Sequence, residues 1–97
     1  MKDLRFVWNE TKAKENLRKH KISFEEAQTV FTDSYARIIY DPDHSKSEER
    51  FILLGLSSSL RILVVCHCYK EDEMIIRIIS ARKATKNERK KYGSFLL

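Results

Sequence analysis

The chain has 97 residues, of which 42% are hydrophobic and 34% charged, and its formal net charge is +5 with an isoelectric point near 9.3. This length corresponds to one domain with one core, and the apolar content is too high for a disordered chain. No apolar run is long enough to span a bilayer and no signal pattern precedes the first strand. We therefore expect residues 1–97 to form a single soluble, cytoplasmic domain. The excess of Lys and Arg favours a polyanionic partner, nucleic acid above all.

The first predicted elements are a short strand and a helix. Residues 4–8, LRFVW, form the predicted strand, and Asn9 is the expected N-cap of a helix that runs to about His20. The apolar stripe of this helix is thin, little more than Ala13 and Leu17. Such a stripe indicates a surface helix with a basic face outward.

Four further strands follow a second short helix. Ser23 and Glu26 form a capping-box pattern, which predicts a helix that ends near Thr32. The predicted strands are residues 35–40, 50–56, 61–69 and 74–80. A C-terminal helix starts at Thr85, which forms a further capping-box pattern with Glu88. Strands joined by short polar turns predict an antiparallel meander. The expected fold is therefore α+β, in the order β-α-α-β-β-β-β-α. Its small antiparallel sheet has two N-terminal helices on one face and the C-terminal helix on the other face or at an edge.

Two cysteines, Cys66 and Cys68, flank His67 in the strand of residues 61–69. Because alternate strand residues face opposite sides, the two thiols point away from the imidazole and the three groups cannot converge on a metal. We therefore predict two reduced, buried cysteines and no metal site. The sequence also has no P-loop or nucleophile motif, so no cofactor is predicted.

The strongest functional signal lies in residues 74–91, MIIRIISARKATKNERKK. An apolar strand, interrupted by Arg77, leads to Arg82 and Lys83 and then to a basic helix. A charge among apolar residues is costly unless it is paired or belongs to a site, and pairing at a solvated sheet edge is the alternative for Arg77. Arg82 is the strongest candidate phosphate ligand because it ends the predicted strand where the chain turns towards the basic helix.

Several stretches together resemble the BrnT family of bacterial type II toxins, whose fold is like that of the RelE ribonuclease toxins. They are FVWNETK (6–12), NLRKHKISFEEA (16–27), DPDHS (41–45), ER (49–50), and RIISARKAT (77–85) with Glu88 and Arg89. The resemblance implies an RNA-cleaving toxin that a BrnA-like antitoxin neutralises. The antitoxin's ribbon-helix-helix domain would bind operator DNA, so the toxin would reach that DNA only through the complex. The chain departs from the family pattern at Asn9, where Asp is usual, and at Cys68, where Thr is common.

RNA cleavage without a metal requires cations for the phosphate and groups that move protons. The candidate catalytic residues are Arg77, Arg82 and Lys83 for the phosphate, with His67, Glu49 and His44 for proton transfer. The candidate RNA- or phosphate-binding residues are Lys19, His20, Arg50, Lys86 and Arg89. Each proton-transfer candidate has a structural alternative: His67 as a satisfied sheet histidine, His44 as a loop cap and Glu49 as a surface ion-pair partner.

Two questions stay open at this point. His67 and Arg77 share a sheet face if residue 67 pairs with residue 77, and they lie on opposite faces if residue 69 pairs with residue 74. The function is also open between two classes. One is an endoribonuclease toxin that inhibits translation and growth, and the other is a non-catalytic basic module that binds nucleic acid or a protein partner.

Overall fold

The computed structural model describes residues 4–40, 49–70 and 74–93 as a five-stranded sheet with helices on both faces. The strands are β1 Arg5–Val7, β2 Arg37–Tyr40, β3 Phe51–Leu56, β4 Ile62–Lys70 and β5 Ile75–Lys83. The helices are α1 Glu10–His20, α2 Phe24–Thr29 and α3 Lys86–Gly93, and a 3₁₀ turn, Val30–Thr32, follows α2. The predicted α+β class and element order are confirmed. The predicted loop with His44, the turn at 71–73 and the tail at 94–97 lie outside the described residues.

The strand order across the sheet is β1-β5-β4-β3-β2. Strands β2 to β5 form the antiparallel meander that the sequence predicts. The first strand differs, because β1 pairs in parallel with β5 and places Val7 opposite Arg77. The sheet is therefore mixed rather than wholly antiparallel. A parallel pair needs a long crossover connection, and the whole of the intervening chain supplies it.

Each face of the sheet has its own apolar cluster. On one face α1 and α2 cover buried residues that include Phe24, Val30, Val65 and Ile78. On the opposite face Leu54, Val64, Ala84 and Tyr92 pack together beneath α3. The C-terminal helix thus takes the first of its two predicted positions, on the face opposite α1 and α2. None of the helices in the described ranges is long and apolar enough to cross a membrane.

The buried stripe of α1 differs from the predicted one. Asn9 caps the helix as expected, since its Oδ1 accepts the Lys12 N–H at 3.0 Å. Leu17, however, is 49% exposed, whereas Asn16 is only 6% exposed. The residues facing the sheet are therefore Ala13, Asn16 and the half-buried His20, spaced three and four positions apart as one helix face requires.

Both capping-box helices form, although only one box is complete. The Thr85 N–H donates to Glu88 Oε1 at 2.8 Å, and the Glu88 N–H donates to Thr85 Oγ1 at 3.2 Å. At the second helix Ser23 Oγ accepts the Glu26 N–H at 3.0 Å, but the Glu26 carboxylate pairs with Arg61 instead. That hydrogen bond from Arg61 lowers the pKa of Glu26.

Helix α3 is anchored at its far end by a buried phenol. Tyr92 Oη donates to Asp33 Oδ2 at 2.7 Å, and the Leu56 N–H donates to the same oxygen at 2.8 Å. Burial and this hydrogen bond raise the pKa of Tyr92 to about 12. The contact joins α3 to the segment before β2 and to the end of β3, so it fixes the helix that carries Glu88.

Candidate nucleic-acid interface

A β-bulge marks the middle of β5. Cys66 of β4 lies opposite Ser80, whereas the next residue, His67, lies opposite Ile78. Ile79 is therefore an extra residue in β5 that has no partner position in β4. Bulges bend a strand and redirect its side chains, and they are common beside functional sites. This bulge turns Arg77 to the same side of the sheet as Ser80 and Arg82, because their partners Cys68, Cys66 and Val64 alternate regularly along β4.

Three depressions adjoin the bulge, and Ile79 lines all of them. The smallest, of about 90 Å³, lies between Arg77 and Lys12. The second, of about 350 Å³, is lined by Ser80 and by the α1 side chains that include Lys12, Lys19 and His20. The third, of about 230 Å³, is lined by Ser80, Cys66, Arg50 and Arg82, among others. We term this surface the basic groove, defined by Lys12, Lys19, His20, Arg50, Arg77 and Arg82 around Ile79 and Ser80.

Asn16 holds α1 against the open edge of β5. Its Nδ2 donates to the Ala81 carbonyl at 2.8 Å and to the Ile22 carbonyl at 2.9 Å, and its Oδ1 accepts the Ala81 N–H at 3.1 Å. Strand β1 pairs with β5 only as far as Arg77. The Asn16 amide therefore satisfies the edge peptide groups of Ala81 that a longer β1 would have satisfied. This clamp fixes Lys19 and His20 beside Ser80.

Arg82 is the last residue but one of β5, because the strand continues past its predicted end at Ser80 to Lys83. Its guanidinium forms two parallel hydrogen bonds with Glu88, from Nη1 to Oε1 at 2.8 Å and from Nη2 to Oε2 at 3.0 Å. The pair, together with the Thr85 N–H, lowers the pKa of Glu88 to about 2. The same hydrogen bond raises the pKa of Arg82. Arg82 is thus held in a fixed orientation by the first turn of α3.

His67 lies on the face of the sheet that α1 and α2 cover, opposite Arg77, Ser80 and Arg82. Its side chain is 0% exposed and contacts the rings of Phe31 and Tyr69. Nδ1 donates to the Val65 carbonyl at 3.2 Å, and Nε2 lies 3.2 Å from Tyr69 Oη. Burial lowers the pKa of His67, so the neutral imidazole is favoured. This environment is that of the satisfied sheet histidine that the sequence left as an alternative.

The remaining predicted site residues lie outside the three depressions. Lys83 is opposite Leu63, so it faces away from Arg82 towards Glu26, and its charge contributes to the lowered pKa of that carboxyl. Glu49, Lys86 and Arg89 are exposed. The Arg89 guanidinium also donates to the Ala84 carbonyl at 3.0 Å, which anchors it to the start of α3.

Most of the charged residues of the groove were therefore predicted from the sequence, whereas Ile79 and Ser80 at its centre were not. Arg50, Arg77, Arg82, Lys19 and His20 come together, whereas His67 and Lys83 are separated from them. Lys12, which lines two of the depressions, belongs to the helix for which a basic outer face was predicted, but its place in the groove was missed. The roles of Asn16 and of the Ile79 bulge were also missed. A polar residue on the inward face of α1 was the one available signal for Asn16.

This fold and this groove together define a small α+β protein with a cationic surface of the kind that binds a phosphate backbone. A family model described as "Ribonuclease toxin, BrnT, of type II toxin-antitoxin system" matches residues 8–88. The chain therefore belongs to the BrnT family of ribonuclease toxins of type II toxin-antitoxin systems, which confirms the resemblance seen in the sequence.

A solved structure supports the same fold. The chain is similar to the crystal structure of the Brucella abortus ribonuclease toxin BrnT, with a TM-score of 0.65 and 21% sequence identity. The match covers 86% of this chain and 99% of the Brucella chain. At this identity the likeness establishes the common fold alone. A search of curated protein sequences found no match.

Proposed function

We propose that this protein is a metal-independent endoribonuclease that cleaves RNA in the cytoplasm and thereby inhibits translation and growth. The observation that carries the proposal is the basic groove. Cationic side chains from α1, from the residue before β3 and from β5 surround one bulge, although they are far apart in the sequence. Such a cluster attracts RNA through its phosphates and releases condensed counterions on binding.

The proposed reaction is attack of the ribose 2′-hydroxyl on the adjacent phosphorus. Arg82, Arg77 and Arg50 would bind the phosphate oxygens and stabilise the charge that develops on them. Arginine suits this task because its planar guanidinium can donate two hydrogen bonds to one phosphate. Lys83, Lys86 and Arg89, outside the groove, would attract the RNA at longer range. We also propose that the fold is related to that of the RelE ribonuclease toxins.

Metal independence is part of the proposal because the arginines of the groove could stabilise the phosphate charge without a metal ion. Within the described residues, no three His, Cys, Asp or Glu side chains lie close enough together to hold a metal ion. Cleavage should therefore persist in EDTA and should not increase when Mg²⁺ is added. A reaction that EDTA abolishes and Mg²⁺ restores would overturn this part of the proposal.

Membership of the family implies an antitoxin, and we propose that it is a BrnA-like ribbon-helix-helix protein with an acidic segment. That segment would cover the basic surfaces at residues 12–21 and 82–91, and the complex rather than the toxin alone would contact operator DNA. Steering between opposite charges is weakened by salt. Charge reversal of both surfaces should weaken the complex strongly, and unchanged binding would rule out this interface.

The experiment that tests the enzyme proposal compares the parent with two variants. Expression of the parent alone should arrest growth, and primer extension on total RNA should reveal new 5′ ends. Arg82→Ala should reduce both effects, whereas Leu17→Ala, an exposed change on α1, should reduce neither. Purified protein that binds RNA but leaves it intact would instead assign the groove to a non-catalytic binding module.

A further inference from the structure

The basic groove supplies cations for a phosphate, yet a proton acceptor for the 2′-hydroxyl is also needed. We infer that His20 is this general base, an assignment that rests on the proposed ribonuclease function. His67, the stronger candidate from the sequence, is fully buried on the face of the sheet opposite Arg77 and Arg82. Of His20 and His67, the two histidines within the described residues, only His20 lines the groove.

The position of His20 follows from the Asn16 clamp. Residues 16 and 20 are one helical turn apart, so their side chains lie on the same face of α1. Asn16 is tied through three hydrogen bonds to Ala81 and to Ile22, which places that face against β5. His20 is accordingly half-buried and lines the second depression together with Ser80, the neighbour of Ala81.

Ser80 is common to two of the depressions. It lines the depression that contains His20 and also the depression that contains Arg50 and Arg82. A phosphate bound by Arg82 above Ser80 would therefore have its ribose next to the α1 side of the groove. Lys19, which lines the same depression as His20, would meet a neighbouring phosphate. The imidazole and the guanidinium thus flank one short length of RNA backbone.

The chemical step balances with these groups and water. The neutral His20 imidazole takes the proton of the 2′-hydroxyl, and the 2′-oxygen forms a new bond to phosphorus. The bond from phosphorus to the 5′-oxygen breaks, and the leaving oxygen keeps the electron pair and takes a proton from water. The products are a 2′,3′-cyclic phosphate and a free 5′-hydroxyl. His20 then returns its proton to solvent, which prepares the imidazole for another cycle.

The test uses the full-length protein, a single-stranded RNA of mixed sequence and the same RNA with a 2′-deoxyribose at the mapped cleavage site. Single-turnover cleavage is measured at saturating protein, and affinity is measured with the deoxy RNA, which cannot be cleaved. His20→Ala and His20→Gln should each cleave about a hundredfold or more slowly, while their affinity for the deoxy RNA stays within about threefold of the parent. Added imidazole should restore part of the rate of His20→Ala.

Two controls separate catalysis from binding and from folding. Lys19→Ala should weaken affinity more than the saturated rate, and Leu17→Ala should change neither. A His20→Gln protein that cleaves at the parental rate would overturn the assignment. So would a variant whose whole defect is lost affinity, because His20 would then be a binding residue. If the parent itself leaves RNA intact, the proposed ribonuclease function fails and the assignment of His20 fails with it.

Discussion

Arg82 and Glu88 are joined by two parallel hydrogen bonds, which occupy both terminal nitrogens of the guanidinium. The carboxylate meets the arginine with the same two-oxygen geometry that a phosphate would offer. Glu88 also accepts the Thr85 N–H, so the pair links the middle of the groove to the first turn of α3. RNA that binds Arg82 through both nitrogens must therefore exchange with Glu88.

We expect opposite effects from changes to the two members of this pair. Arg82→Ala should lower the cleavage rate about a hundredfold, because a charge-assisted contact in the transition state is lost. Arg82→Lys should recover only part of that loss, since an ammonium group cannot bridge two oxygens. Glu88→Gln should keep or increase RNA affinity, because it releases Arg82. Filter binding and cleavage assays measure these effects, and weaker RNA binding by Glu88→Gln would contradict the exchange.

Acid should destabilise the fold in a defined range of pH. The pKa of Glu88 falls from its ordinary value of 4.5 to about 2 in the folded protein, mainly through Arg82. The unfolded chain therefore binds more protons below pH 4.5, and the stabilisation present above that pH is lost as the pH falls towards about 2. The midpoint of thermal unfolding should drop over this range. Glu88→Gln should reduce the size of the drop, and an identical pH profile for both proteins would contradict the assignment.

The amide of Asn16 should contribute more to stability than any exposed side chain of α1. Asn16→Ala leaves buried peptide groups of Ala81 without partners, which we expect to cost about 3 kcal/mol of unfolding free energy. Asn16→Asp should cost at least as much, because an oxygen would then face the carbonyls of Ala81 and Ile22. Urea unfolding measures both effects. Leu17→Ala is the control, with an expected change below about 0.5 kcal/mol, and an equal effect of the two alanine variants would refute the clamp.

The two glycines should respond differently to a methyl group. A Cβ on Gly55 would lie 2.8 Å from Val30 Cγ1 and 2.9 Å from Ala36 Cβ, so Gly55→Ala must displace packed atoms. Overpacking of this kind typically costs about 1–3 kcal/mol. A Cβ on Gly93 would have no neighbour within 4 Å, so Gly93→Ala should be nearly neutral. Comparable unfolding midpoints for the two variants would show that the core around Gly55 accommodates the methyl group.

A substitution at the end of α1 should stabilise the protein. Lys21 caps this helix with a φ of 62° and a ψ of 26°, the left-handed conformation that glycine adopts at little cost. Lys21→Gly should therefore raise the unfolding free energy by about 0.5–1 kcal/mol. Lys14→Gly, within the same helix, should lower it by about 1 kcal/mol. A destabilised Lys21→Gly protein would indicate that the Lys21 side chain contributes more than its backbone costs.

Local patterns in the sequence were sufficient for most of the fold. Asn9 and the Thr85–Glu88 box fixed two helix starts because capping acts over three residues. The meander followed from short turns between apolar strands. The parallel pairing of β1 with β5 could not be predicted in this way, because nothing near either strand specifies a partner so far along the chain.

The candidate site was less accessible to prediction because one inserted residue controls its geometry. Neither pairing considered from the sequence occurs: Cys68 lies opposite Arg77, and the bulge at Ile79 shifts the rest of β5 by one position. The shift puts His67 on the far face while keeping Arg77 with Arg82. A one-residue change of register reverses the direction of every side chain that follows, and the apolar residues on both faces of these strands do not determine it.

The pairing of β1 with β5 has a consequence for synthesis of the chain. Strand β1 pairs with the last strand, and two of the three hydrogen bonds of Asn16 join it to Ala81 of that strand, 65 positions away. A nascent chain that ends before β5 lacks these contacts of α1 and contains neither Arg77 nor Arg82. The groove cannot form before these contacts, and contacts between residues so distant in sequence form slowly because of the entropy cost of closing the loop. The basic groove can therefore form only after β5 has been synthesised and has paired with β1.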